Sequence, residues 1–200
     1  MPRASTRNIA IALVAALAIA GGYIADFFGV SLPGLSTPLS TDSSYDGSTL
    51  LRGEIDKIVD GDTVYIRFTD GSRRKARLIG IDTPELNQAS NSEPSGQKGP
   101  EPGAVEAKAF VEHVLSGQQT VWVEYDLEPH DRYGRDLVYV WLSDPSEEVS
   151  IESDMLNGLI LASGWAEAIR VKPNAKYYDI FRSIEKRAKD AGLGIWGFDR

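Results

Sequence analysis

The chain has 200 residues with 42% hydrophobic content, and its 21 basic and 29 acidic side chains give a formal net charge of −8. This hydrophobic content is typical of a folded core, and the absence of cysteine excludes disulfides, thiolate metal sites and cysteine nucleophiles. Only two histidines are present, so any metal site should hold a hard cation through carboxylates and carbonyls. The acidity argues against binding nucleic acid through bulk positive charge, but it leaves room for a cleft with a few arginines.

The N-terminal segment indicates export. Residues 9–25 form an uncharged apolar stretch of 17 residues that follows two arginines. A signal-peptide core has about 7–15 residues and a membrane-spanning helix about 20, so residues 1–25 are predicted to be either an export signal or an uncleaved apolar helix that anchors the chain in the membrane. Residues 26–50, rich in Ser, Thr, Pro and Gly, are predicted to be a flexible linker. Both alternatives place the rest of the chain outside the cytoplasm, secreted or anchored to the outer face of the cytoplasmic membrane.

Residues 51–200 are predicted to form one α+β domain. Apolar and polar side chains alternate over residues 64–68, as in a half-buried strand, and Asp70-Gly71 follows as a hairpin turn. In all, the pattern predicts three strands, a helix, two strands and two helices. Five short strands in a mostly antiparallel set indicate a closed barrel of the oligonucleotide-binding (OB-fold) type, with about three helices packed outside. Residues 86–103 have no apolar period and are predicted to be a mobile loop.

The helices are predicted from apolar residues that recur at helical spacing. They cover residues 104–115, 153–164 and 177–192. Ser153 or Asp154 is predicted to cap the second of them. The apolar face of the last helix consists of Tyr177, Phe181, Ile184 and Ala188.

Two acidic motifs follow strand-like runs. VDGDTV contains Asp62, and IDTPE contains Asp82, Thr83 and Glu85. Each motif alone is typical of a turn. Because strands of one sheet can bring their polar ends together, Asp62, Asp82 and the Thr83 carbonyl would make a reasonable Ca²⁺ site completed by waters. Clustered acids without a cation would repel one another.

Arginines accompany these motifs. Arg77 lies in the strand-like run that leads to IDTPE, and Arg132 and Arg135 flank Tyr133 in the turn HDRYGRD. Each has an alternative interpretation as a solvated surface side chain. Arginines bind phosphate oxygens bidentately and neutralise developing charge, a cation does the same, and a glutamate such as Glu85 can act as general base. The combination indicates phosphodiester hydrolysis.

The motifs VDGDTV, ARLIGIDTPE and DRYGR, in this order and at these separations, resemble the staphylococcal nuclease (thermonuclease) family. The resemblance extends from about Leu51 to Trp196 and includes KPN at residues 172–174 and LGIWG at residues 193–197. It implies a five-stranded OB-fold barrel with three helices. It also implies a Ca²⁺-dependent nuclease that acts on DNA and RNA and leaves 3′-phosphate ends. We expect a monomer.

The resemblance implies a role for each motif residue. The implied calcium ligands are two carboxylates and a backbone carbonyl, those of Asp62, Asp82 and Thr83. The side chains implied to hold the phosphate are Arg77 and Arg135, and the proposed base is Glu85. The side chains implied to seat the terminal phosphate of the substrate are Arg132 and Tyr133.

One stretch departs from the family pattern. The family's best-known member has aromatic residues shortly before KPN that pack against the nucleotide base, whereas this chain has Ile169, Arg170 and Val171 there. Base stacking is worth about 1–3 kcal/mol per base, so substrate affinity or preference is expected to differ. Two alternatives to the enzyme are a non-catalytic OB-fold module that binds nucleic acid or protein at the cell surface, and an acidic structural domain in which the motifs are only turns. The presence of both phosphate-binding arginines and the glutamate favours the enzyme.

Overall fold

The computed structural model describes residues 50–86, 88–89, 97–118 and 120–198. The predicted signal or anchor, and nearly all of the predicted linker, lie outside these residues. No helix within the described ranges is long and apolar enough to cross a membrane. Apart from residue 50, the described residues all belong to the predicted α+β domain.

In the described part of the domain, six strands come first, and helices and strands are interspersed after them. In chain order its strands are β1 Leu50–Ile58, β2 Thr63–Phe68, β3 Arg73–Leu78, β4 Ile81–Asp82, β5 Gln88–Ala89, β6 Gln97–Lys98, β7 Val121–His130, β8 Asp136–Trp141 and β9 Glu167–Ala168. Its α-helices are α1 Ala104–Val114, α2 Leu156–Ala162 and α3 Tyr178–Asp190, and a short 3₁₀ helix, Gly194–Gly197, follows them. Three α-helices in the described part of the chain agree with the predicted number.

Five of the strands close into a barrel in the order β1-β2-β3-β8-β7. Neighbouring strands are antiparallel, except that β3 and β8 run parallel. The predicted set of five mostly antiparallel strands is therefore confirmed. The core lies inside the barrel and between the barrel and the helices.

The β2–β3 hairpin follows its sequence pattern. Val64, Ile66 and Phe68 are buried, whereas Tyr65 is half-buried and Arg67 exposed. This alternation gives the hairpin one face in the core and one face toward solvent.

The predicted turn between β2 and β3 is also present. Gly71 has a φ of 82°, a left-handed conformation that favours glycine. Its N–H donates to the Phe68 carbonyl at 3.0 Å, and the N–H of Ser72 donates to the Asp70 carboxylate at 2.8 Å. The Asp-Gly pair therefore makes the tight turn that its composition predicts.

Helix α3 buries the predicted face. Phe181, Ile184 and Ala188 are buried, as is Tyr177 immediately before the helix. Residues three and four apart lie on one side of a helix, so the spacing of these side chains predicts their burial correctly.

The predicted cap of α2 is wrong. The residue at its N-cap is Met155, which makes no side-chain hydrogen bond to the helix. Asp154 instead accepts the N–H of Ser150 at 2.8 Å and the hydroxyl of Ser153 at 3.1 Å. Both polar side chains are therefore used in the turn that precedes the helix.

Part of the predicted loop over residues 86–103 forms a strand pair. The short strands β5 and β6 run antiparallel, with Gln88 opposite Lys98 and Ala89 opposite Gln97. The prediction of a loop is wrong for these four residues, because so short a pairing depends on backbone hydrogen bonds and needs no apolar period.

Candidate active site

The register of β3 with its two neighbours brings predicted site residues together. Thr63 of β2 lies opposite Arg77, and Leu137 of β8 lies beside Arg77 on the other side. Asp62 directly precedes β2, and Arg135 directly precedes β8. The barrel therefore places an aspartate and a second arginine on the two sides of Arg77.

Arg77 joins two of the predicted calcium ligands. Its Nη1 donates to Oδ1 of Asp62, and its Nη2 donates to Oδ1 of Asp82 at 2.6 Å and to the Ile81 carbonyl oxygen at 3.3 Å. The Arg77 side chain is 14% exposed, whereas Asp82 lies at the surface. Burial alone would lower the pKa of Arg77, but the charges of Asp62 and Asp82 raise it above its usual value, so the guanidinium stays charged.

Asp62 is 1% exposed, and hydrogen bonds surround its carboxylate. Oδ2 accepts the N–H of Thr83 at 3.0 Å and the Thr83 hydroxyl at 3.1 Å, and Oδ1 accepts the Thr63 hydroxyl at 3.0 Å. Burial raises the pKa of Asp62 to about 7, and the Arg77 guanidinium acts in the opposite direction. A further cation beside this carboxylate would stabilise its charged form. We call Asp62, Arg77, Asp82 and Thr83 the Arg77 cluster.

Gly61 allows the two acidic motifs to approach each other. A Cβ at this position would lie 2.7 Å from Oγ1 and 2.9 Å from Cβ of Thr83. Real side chains do not come so close, so any larger residue would push the IDTPE segment away from Asp62. The sequence pattern indicates a turn glycine here, but the contact that requires glycine is with a residue 22 positions later in the chain.

Glu85, the predicted base, is exposed beside the Arg77 cluster. Its N–H donates to Oε2 of Glu101 at 2.8 Å, and the Glu101 N–H donates to the Glu85 carbonyl oxygen at 2.9 Å. Partial burial and the charge of Asp60 raise the pKa of Glu85, while Arg77 acts in the opposite direction. A raised pKa makes the carboxylate a stronger base. Sequence reasoning missed Glu101, because its partner is a backbone group.

The turn at residues 131–135, which we call the arginine turn, is held together by Asp131. Its Oδ1 accepts the N–H groups of Tyr133 and Arg135 at 2.8 and 2.9 Å, and its Oδ2 accepts Nε of Arg135 at 2.6 Å. Burial alone would raise the pKa of Asp131, but hydrogen bonds from Arg135 and Tyr133 hold it below its usual value. No role for Asp131 was predicted, although an aspartate that begins a tight turn is a recognisable signal.

Tyr133 projects from the arginine turn into solvent and is 68% exposed. The guanidinium of Arg132 lies 4.7 Å from the centre of its ring, and that of Arg135 lies 5.7 Å away. The Arg132 Nη2 donates to the Tyr133 hydroxyl. The two predicted substrate-binding residues, Arg132 and Tyr133, therefore contact each other directly.

A cleft of about 340 Å³ lies beside Arg77. The predicted site residues that line it are Arg77, Arg132, Tyr133 and Arg135. Those that do not line it are Asp62, Asp82, Thr83 and Glu85. Arg77 belongs to both groups, because it lines the cleft and also binds two carboxylates outside it.

Another wall of the cleft contains Ile169 and Val171, from the stretch that departs from the family pattern. Asn174, from the KPN motif, is buried and bonds the end of β7. The N–H of Glu128 donates to Oδ1 of Asn174 at 2.8 Å, and Nδ2 of Asn174 donates to the Glu128 carbonyl oxygen at 2.7 Å. Because Glu128 also lines the cleft, Asn174 helps to position this part of the cleft wall.

The donors of the Arg77 cluster suit calcium. Asp62 and Asp82 offer carboxylate oxygens, and Thr83 would add its carbonyl oxygen, all hard ligands of the kind that calcium prefers. Across the described part of the chain, no three acidic or histidine side chains are grouped so that they could hold a metal ion. A calcium ion here would therefore depend on two carboxylates, one carbonyl and waters.

Comparison with known proteins identifies the family. The family model described as staphylococcal nuclease homologue matches residues 75–197 of this chain. The chain belongs to the staphylococcal nuclease family. The resemblance seen in the motifs is thus confirmed, and the family implies that the closed barrel is of the OB-fold type.

Individual members of the family are similar over most of the chain. A thermonuclease from Staphylococcus intermedius is 37% identical over 153 residues, which is 74% of this chain and 80% of that protein. A thermonuclease from Staphylococcus hyicus is 33% identical over 141 residues, 70% of this chain and 72% of that protein. Endonuclease YncB from Bacillus subtilis is 30% identical over 159 residues, 78% of this chain and 66% of that protein.

Proposed function

We propose that this member of the staphylococcal nuclease family is a calcium-dependent nuclease that hydrolyses phosphodiester bonds of DNA and RNA and leaves 3′-phosphate ends. The observation that carries the proposal is the position of Arg77, which binds two carboxylates and lines the same cleft as Arg135. Groups suited to a cation thus lie beside groups suited to phosphate. The names of the relatives, thermonuclease and endonuclease, agree with this activity.

Arg77 and Arg135 would bind the phosphate that is attacked. Guanidinium groups donate paired hydrogen bonds to phosphate oxygens and stabilise the charge that develops on them in the transition state. Asp131 holds Nε of Arg135, and within the described residues the terminal nitrogens of this guanidinium have no hydrogen-bond partner. Both of them are therefore available to the substrate.

Asp62, Asp82 and the Thr83 carbonyl would hold the calcium ion. When bound, calcium neutralises phosphate charge and can hold the attacking water. Arg77 bridges the two carboxylates in the structure, so calcium binding would release its guanidinium from them toward the phosphate. The buried Asp62 carboxylate is the member of this set whose charged form most needs a neighbouring cation, because burial raises its pKa to about 7.

Glu85 would take the proton from the attacking water. Its raised pKa suits this role, and the paired hydrogen bonds with Glu101 hold its backbone in place. Removal of this proton lets the water oxygen attack phosphorus while the arginines stabilise the five-coordinate transition state. Breaking the 5′ P–O bond then leaves the phosphate on the 3′ end of one fragment, and the leaving 5′ oxygen takes a proton from solvent to become the hydroxyl of the other fragment.

We place the enzyme outside the cytoplasm, secreted or anchored through residues 9–25, and expect it to act as a monomer. The apolar N-terminal stretch and the linker that follows it support this proposal. A non-catalytic module would not require Arg77, Glu85 and Arg135 together, so the presence of all three in this chain favours the enzyme.

The test uses the full-length chain with single-stranded DNA and with RNA, in calcium and in EGTA. Cleavage should occur only in calcium, and mass spectrometry of the products should show 3′-phosphate ends. Glu85→Gln and Arg135→Ala should each slow cleavage by about 100-fold or more. Lys186→Gln, an exposed change on α3, should leave the rate unchanged. A folded chain that binds both substrates but cleaves neither would refute the enzyme and support the binding module.

A further inference from the structure

The outward face of β2 and β3 is basic, although the chain as a whole is acidic. Side chains alternate along a strand, so Arg73, Lys75 and Arg77 share one face of β3. Arg67 of β2 lies directly opposite Arg73. This row of cations therefore begins at the hairpin turn and ends at the arginine that lines the active-site cleft.

An aromatic ring lies in the middle of this face. Tyr65 of β2 is opposite Lys75 on one side and opposite Lys57 of β1 on the other. The guanidinium of Arg73 lies 3.8 Å from the centre of the Tyr65 ring. Proteins that bind single-stranded nucleic acid combine cations, which contact phosphates, with flat aromatic or guanidinium groups, on which bases stack.

Acidic side chains do not cancel this charge. The charged residues around Tyr65 are four basic and two acidic, namely Lys57, Arg67, Arg73, Lys75, Glu54 and Asp56. Asp56 accepts hydrogen bonds from both Arg67 and Arg73, with Nε of Arg73 at 2.6 Å, so one carboxylate holds two guanidinium groups side by side. Lys57 and Lys75 have no ion-pair partner among the described residues.

We propose that this face binds the phosphodiester backbone of single-stranded DNA or RNA where the strand extends beyond the cleft. Its residues, which we call the basic track, are Lys57, Tyr65, Arg67, Arg73 and Lys75. Cations on β3 recur every second residue, about 7 Å apart, which suits successive phosphates of an extended strand.

The position of the basic track sets the direction of the bound strand. Strands β2 and β8 flank β3 on opposite sides, so the β1 and β2 residues of the track and the arginine turn lie on opposite sides of Arg77. Lys75 precedes Arg77 by two residues on the same face of β3, so a dinucleotide in the cleft would reach only this end of the track, whereas a long substrate would extend along it. The inference rests on the proposed nuclease function, because it extends the substrate site of that function.

Binding in EGTA, where no cleavage is expected, tests the basic track separately from catalysis. The full-length chain is titrated against a fluorescein-labelled oligothymidylate and a labelled thymidine dinucleotide, and anisotropy is measured over a range of salt. The variants are Lys57→Glu/Lys75→Glu and the milder Lys57→Gln/Lys75→Gln. The control is the double variant Lys186→Glu/Lys189→Glu, which makes the same charge change on α3, away from the cleft.

The track variant Lys57→Glu/Lys75→Glu should weaken oligothymidylate binding by about tenfold at low salt. Each lost phosphate contact should also reduce the slope of the logarithm of the binding constant against the logarithm of the salt concentration by about 0.7. The Gln variant should show the same trend, and dinucleotide binding should weaken much less than oligothymidylate binding. Equal weakening in the α3 control, or no binding of oligothymidylate by the wild type, would overturn the basic track. A chain that never cleaves but loses oligothymidylate binding only in the track variants would refute the nuclease and leave the track in place.

Discussion

In the proposed mechanism the Arg77 cluster and the arginine turn both supply groups for phosphate chemistry, but they are held in different ways. In the Arg77 cluster, Asp62 bonds a residue 21 positions later, and strand register places Arg77 beside it. In the arginine turn, Asp131 holds a residue only four positions away. The carboxylate side of the site therefore exists only when the barrel is folded, whereas the arginine turn is built from local hydrogen bonds.

The largest expected difference between the two regions is in stability. Arg77→Ala leaves the buried Asp62 without its cation and should lower the free energy of unfolding by about 3 kcal/mol. Arg135→Ala removes a partly exposed partner of Asp131 and should lower it by about 1 kcal/mol or less. Urea unfolding of the two variants, measured at the same pH and without calcium, gives both values. Equal losses would contradict the distinction between long-range and local support.

A smaller effect on the free energy of unfolding is expected where the motifs VDGDTV and IDTPE are in contact. Gly61→Ala places a methyl group against Thr83 and should lower the free energy of unfolding by about 1–3 kcal/mol. It should also weaken calcium binding, because Thr83 is displaced from Asp62. The matched control is Gly99→Ala, where a Cβ would meet no atom of the described residues within 4 Å. Calorimetric calcium titration and urea unfolding of both variants test this, and a Gly61→Ala protein indistinguishable from the control would show that the motifs do not need this contact.

The smallest effect on the free energy of unfolding is expected in the arginine turn, and this effect depends on pH. Hydrogen bonds hold the pKa of Asp131 below its usual value of 3.8, so its carboxylate stabilises the fold above that pH, and the contribution is lost as the pH falls through the lowered pKa. Asp131→Asn should therefore lower stability by less than about 1 kcal/mol at neutral pH, and the difference from the wild type should vanish in acid. Asp190→Asn, an exposed change on α3, is the control. Urea midpoints over a series of pH values give the comparison, and a difference that persists in acid would mean that the charge of Asp131 is not responsible.

Sequence reasoning identified the members of the Arg77 cluster because they lie in short motifs at the ends of strand-like runs. It did not find that Gly61 packs against Thr83, since a close approach between segments leaves no local pattern. It also assigned no role to Glu101 or Asp131, because their hydrogen bonds to backbone N–H groups can be made to almost any residue type.

In the fold as well, features with a local sequence pattern were predicted and features set by contacts between distant segments were not. The alternation of Val64, Ile66 and Phe68 predicts a strand with one buried face, and the structure contains it. The parallel pairing of β3 with β8 follows from how the chain returns to the sheet, which local alternation does not reveal. The cap of α2 was assigned wrongly because Asp154 had a competing partner in Ser150.

The paired hydrogen bonds between Glu85 and Glu101 join the two ends of the segment that leaves the site and returns to it. With its ends fixed in this way, the segment can change in length at little thermodynamic cost, since doubling a loop costs only about 0.6 kcal/mol. Residues can therefore be added or removed here without moving Glu85, the proposed general base. For protein engineering, the same region is a suitable place to insert an affinity tag or a second binding module next to a nuclease site.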